Sequence, residues 1–232
     1  MPPPRPVITT AGEEVVSVQW GSFDGAITFR RVPHPTRYFN LEVTLQDHHP
    51  HILRLRENPP PTHFHYLQVE YFEVLEGSLY VQVGSKRVLL SPSDDELPVE
   101  PYVRNRIMAG PLSNDQKLTK FMMSGPAAEG HRMLDYVFYE NYYRYMDTAV
   151  SAGNPIELIQ ILCMFDAGGS CIALPWYIPF NMYISRAMGV VIGRWLGGIL
   201  GYQPYYREWT TDWEVASTRM SKSIFQRRFA KT

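Results

Sequence analysis

Apolar and polar positions alternate with period two in short runs through the first half of the chain. The runs are 15–20, 26–29, 41–45, 78–83, 87–90 and 118–123, with a further segment at 98–108. That period marks half-buried strands, because successive side chains leave a strand on opposite faces. Turn chemistry separates them: Asp24-Gly25 divides the first two, and Gly84-Ser85-Lys86 joins 78–83 to 87–90 as a hairpin. Residues 51–55 read as one more strand. The expectation is an all-β block of short strands.

Near Gly125 the period changes. Residues 131–146 carry Leu134, Val137, Phe138 and Tyr142 at helical spacing, and Gly153-Asn154-Pro155 ends that element. Apolar segments follow at 156–165, 171–177 and 180–202. In the last, Ser185, Gly189, Gly193, Gly197 and Gly201 recur every four residues, which puts them on one helix stripe. Each helical glycine costs ~1 kcal/mol relative to alanine. Such a row therefore predicts close approach of a second helix backbone. A membrane helix uses the same pattern, but Arg186 and Arg194 would each cost ~2.5–3.5 kcal/mol near a bilayer centre. Two partners suit this half: a membrane surface met peripherally or by a monotopic hairpin, and a second subunit in a homodimer. Thr211-x-x-Glu214 matches a capping box that starts a solvated terminal helix at Asp212. The expected organisation is a β domain over 1–124, with a Pro-rich N-terminal arm, and a helical extension over 125–232.

One stretch of the β half carries chemistry: His63-Phe64-His65-Tyr66-Leu67-Gln68-Val69-Glu70, followed by Tyr71-Phe72-Glu73-Val74-Leu75-Glu76-Gly77. Two histidines two positions apart project from the same strand face. With Glu70 they can grip one side of a divalent metal and leave the other side open. The cluster His48, His49 and His51 reads as a polar loop at a strand edge; alternatively His51 points inward with Leu53 and Leu55 as a ligand or base. Asp94-Asp95-Glu96 reads as a solvated turn.

The spacing His63-x-His65-x4-Glu70-x6-Gly77 resembles the first motif of the cupin superfamily. Its usual opening glycine falls at Glu57. Aligned on Pro101, the second motif's positions hold Asp95, Pro101, Val103, Arg106 and Gly110, so only the proline is kept. The resemblance implies a mainly β fold, a cupin-like double-stranded β-barrel followed by an α-helical, apolar extension. It also implies His63, His65 and Glu70 as metal ligands, with Fe(II), Mn(II), Ni(II) or Zn(II) in the site, and Arg106 in place of the fourth, histidine ligand. A metal-free alternative uses His63 or His65 as proton carrier, Glu70 to orient it and Arg106 to polarise a carbonyl. Stretches such as Ala173-Leu174-Pro175-Trp176 and Leu200-Gly201-Tyr202 are similar to fungal cupin-domain proteins of natural-product pathways.

Composition narrows the partners. A net charge of −1 provides no field for nucleic acid. Two cysteines give no disulfide framework, and the start Met1-Pro2-Pro3-Pro4 lacks the apolar run of a signal peptide, so an intracellular protein is expected. His51, Phe72, Val74, Tyr80 and Tyr102 are expected to line a pocket for a hydrophobic small-molecule substrate. Missing its fourth ligand, the site reads as that of a tailoring enzyme performing non-redox cyclisation, isomerisation or dehydration. The alternatives are an iron-dependent dioxygenase on the same triad and a carrier of a lipophilic metabolite.

Overall fold

A computed structural model describes residues 7–11, 14–128 and 130–231. It divides into two compact units, one containing the chain up to Thr62 and Val69–Pro126, the other His63–Gln68 and the chain from Ala127 onward. The fold class is mainly β, built of antiparallel sheets, with a helical C-terminal extension.

The first unit begins with β1 (Val7–Ala11), β2 (Glu14–Ser22), β3 (Ile27–Arg31), β4 (Phe39–Gln46) and α1 (Pro50–Glu57). The chain then makes β5 (His63–His65) in the other unit and returns as β6 (Glu70–Glu76), β7 (Leu79–Val83), β8 (Lys86–Leu90), β9 (Leu97–Val99), β10 (Asn105–Ala109) and β11 (Leu118–Gly125). Seven strands form one antiparallel sheet in the order β1-β2-β3-β4-β11-β6-β9. In the second sheet, β7 pairs with both β10 and β8. Alternation fixes the inner faces. Phe29 opposes Val43, Val43 opposes Phe121, and Phe121 opposes Val74, all nearly water-free. Burying each such side chain is worth about 1.5–3 kcal/mol.

The segment 51–55 is not a strand. His49 caps a helix, its Nδ1 accepting from the His51 backbone N–H at 3.1 Å, and Pro50 occupies the first turn with its φ already helical. Only Ile52 of α1 is buried, and the His51 ring stacks on Phe23 with centroids 3.8 Å apart. His51 is thus a helix residue packed on an aromatic ring, and the inward-facing strand position expected for it does not exist.

The second unit contains β5 and its antiparallel partner β12 (Ser170–Ile172), together with α2 (Tyr136–Ser151) and α3 (Leu158–Ala167). A long helix follows: α4 (Asn181–Met188), a π-helical stretch (Gly189–Leu196) and α5 (Gly197–Leu200), closed by Gly201 in the left-handed region at φ 109°. Ser185, Gly189, Gly193 and Gly197 are buried along it. A Cβ on Gly193 would stand 2.5 Å from the Leu162 carbonyl oxygen and 2.7 Å from the Cys163 nitrogen, so at Gly193 the helix meets the backbone of α3. Arg194 makes a bidentate pair with Asp166 at 2.6 and 2.7 Å, and Arg132 adds a third contact at 3.3 Å.

The last helix, α6 (Trp213–Ser221), is capped by Asp212, whose Oδ1 accepts from the Val215 N–H at 3.2 Å. Thr211, expected as the cap, instead donates its hydroxyl and backbone N–H to Glu140. Nor is α6 solvated: Ala216 and Met220 are buried with Val137 and Tyr205, and Arg219 pairs with Asp135, the cap of α2, at 2.6 Å. Among the described residues, no helix is long and apolar enough to cross a membrane.

Candidate metal centre

His63, His65 and Glu70 each offer a ligand atom, and these atoms lie within 4.8 Å of one another. The strand period puts His63 and His65 on one face of β5, where they pair in register with Ile172 and Ser170. Glu70 opens β6 opposite Val99 and shares the parity of Phe72 and Val74, so its carboxylate starts from the buried face of that strand. His65 is 3% exposed and Glu70 2%.

A buried histidine ligand needs its ring held, and β12 supplies the means. Ser170 Oγ stands 2.9 Å from His65 Nδ1. With Nδ1 engaged, Nε2 is the nitrogen that would coordinate, which is how a neighbour's hydrogen bond selects tautomer and ring orientation in metal-binding histidines. The His63 ring meets His65 edge-on with centroids 4.9 Å apart and lies 6.0 Å from Phe165 of α3. Behind Phe165 come Tyr142 at 5.5 Å and Phe138, stacked on Tyr142 at 5.9 Å. Burial pushes the Tyr142 phenol up to about 12, so it keeps its proton at neutral pH. Two imidazoles and a carboxylate with atoms this close, two of the three residues buried, fit a divalent first-row metal.

Ser170, Phe165 and Tyr142 were missed in the sequence. Asp166-Ala167-Gly168-Gly169-Ser170 reads only as a turn, and no short-range signal ties Ser170 to a histidine 105 positions earlier.

The other expected residues lie elsewhere. Arg106 opposes Gln82 across β10 and β7, on the strand face opposite to that of Ile107 and the buried Val81. Its Nε donates to Gln82 Oε1 at 2.8 Å and a terminal nitrogen donates to the Pro60 carbonyl at 3.3 Å. Tyr80 shares that face, opposite the buried Met108, with the Arg87 guanidinium 4.0 Å over its ring. Tyr102 is 44% exposed on a turn with φ 65°. Phe72 and Val74 face the core, 1% and 3% exposed. His48 and His49 serve the loop before α1, His48 Nε2 lying 3.1 Å from the Gln116 carbonyl.

No family model matches the chain. The probable oxidoreductase yanE of Aspergillus niger is 39% identical over 99% of this chain and 89% of its own length. The epoxidase atD of Aspergillus terreus is 36% identical over 96% of this chain and 71% of its own. Among solved structures, hydroxypropylphosphonic acid epoxidase from S. wedmorenis aligns with a TM-score of 0.34 and 17% identity, over 51% of this chain and 58% of that one.

Proposed function

Because the chain belongs to this family of fungal oxidoreductases and is an enzyme, we propose that it is an iron-dependent oxidoreductase. Its substrate would be an apolar, oxygen-bearing small molecule, oxidised with dioxygen as oxidant. The observation that carries the reading is the approach of His63, His65 and Glu70 ligand atoms to within 4.8 Å. The relatives' names overturn the expected non-redox cyclisation, isomerisation or dehydration. That expectation leaned on Arg106 as a pocket cation, and Arg106 is engaged with Gln82 and Pro60 instead.

A bound iron would supply redox chemistry and open coordination positions, which a two-histidine, one-carboxylate set leaves available. The chain's own groups do the rest. Ser170 fixes the His65 ring through Nδ1. Phe165 and Tyr142 give the His63 side an aromatic wall that favours an apolar ligand and excludes water. The nearly water-free setting of Glu70 strengthens its attraction for a cation.

Elemental analysis of protein purified without chelator, beside Glu70→Ala, tests the assignment. Iron close to one equivalent in the wild type and absent from the variant is the expected result. Apoprotein that takes up no iron under anaerobic reconstitution, or a variant that takes up as much, overturns it. Oxygen uptake by the iron-loaded enzyme over a panel of apolar phenols and quinols then reports on the substrate class.

A further inference from the structure

The long helix over 181–200 buries its glycine row and presents the opposite side to solvent. Tyr183, Val191, Trp195 and Ile199 on that side are 43–76% exposed. Just upstream, Trp176 and Phe180 are 81% and 77% exposed. Scattered exposed apolar residues are ordinary, but a contiguous helical face of them marks an interaction surface.

Charge selects the partner. No Asp or Glu occurs between Asp166 and Glu208, and none follows Glu214 to the end of the chain. Cations border the apolar face. Arg186 is exposed on the helix itself. Trp195 stacks on Phe225 with centroids 5.9 Å apart, which brings the basic C-terminal segment alongside. From that segment Arg228 donates to the carbonyls of Gly198 and Ile199 at 2.5 and 3.0 Å, and Lys222 and Arg227 are exposed. A second copy on the same face would set these cations against their own counterparts with no carboxylate in either stretch to meet them. An anionic lipid surface meets both requirements: headgroup charge for Arg and Lys, and the acyl boundary for Trp, Tyr and aliphatic side chains.

We propose that the exposed face of the helix over 181–200, with Trp176, Phe180 and the basic C-terminal segment, docks this protein on anionic membranes. It lies in the interface plane and does not span it. This inference is independent of the metal centre.

Flotation of the full-length protein with phosphatidylcholine vesicles, with and without phosphatidylserine, tests it. The expected result is binding to the anionic vesicles that weakens with added salt. It should fall about tenfold in the triple variant Trp176→Ser/Phe180→Ser/Tyr183→Ser and in Lys222→Glu/Arg227→Glu. All five side chains are exposed, and circular dichroism should match the wild type. Protein left unbound by anionic vesicles overturns the proposal, and so does equal binding to pure phosphatidylcholine. A concentration-dependent dimer in sedimentation velocity that the triple variant disperses would assign the face to a second copy and also overturn it.

Discussion

His65 and Ser170 carry the finest detail of the candidate centre. A hydroxyl 2.9 Å from Nδ1 costs the protein little, yet it decides which ring nitrogen faces a metal. Removing such a partner weakens metal affinity by about 10–100-fold in comparable sites. Ser170→Ala should therefore bind Mn(II), a redox-inert probe, about tenfold more weakly in calorimetric titration with the fold unchanged. Unaltered affinity would show that the ring is held by packing alone. Arg106 teaches the opposite lesson at the same scale. Counting from Pro101 puts an arginine at a ligand's position, but a strand reverses its faces at every residue. The register places Arg106 opposite Gln82, with Asn105 opposite Val83 and Ile107 opposite Val81.

At the scale of elements, periodicity was the reliable signal and termination chemistry the weak one. The strands at 41–45, 78–83, 87–90 and 118–123 stand close to where alternation puts them. The segment 51–55 failed because the short run His51-Ile52-Leu53-Arg54-Leu55 also fits a strand, while His49 as cap and Pro50 act on the backbone before it. The glycine row was legible because its cost demanded a compensation, found at Gly193 in the backbone of α3. Arg194 spoke against a membrane span, and the partner that holds its charge, Asp166, lies 28 positions away. The row also makes a graded prediction. A Cβ at Gly193 collides with fixed backbone, whereas one at Gly189 meets the Asp166 side chain at an ordinary 3.6 Å. Gly193→Ala should lower the unfolding free energy by about 1–3 kcal/mol. Gly189→Ala should be neutral or gain up to ~1 kcal/mol of helix propensity. Equal effects in urea denaturation would remove close helix packing as the reason for the row.

For the whole molecule, the candidate metal and the native fold are linked thermodynamically. The ligands fall within an eight-residue stretch of sequence, but their mutual approach depends on two different strands, β5 and β6. An unfolded chain has no such arrangement, so an ion that binds here binds the native state preferentially and stabilises it by mass action. At a free concentration 100 times its dissociation constant the gain is about 2.7 kcal/mol. For a chain of this size each kcal/mol raises the melting temperature by about 2–4 °C. Chelator-treated wild type should thus melt several degrees higher on adding Fe(II) anaerobically or Mn(II) in air, and Glu70→Ala should not respond. Ca(II), which prefers six to eight oxygen ligands, should have no effect on either protein. A shift of equal size in wild type and variant would place the binding elsewhere on the chain. This readout does not depend on turnover, so it separates failure of the metal assignment from a wrong choice of substrate.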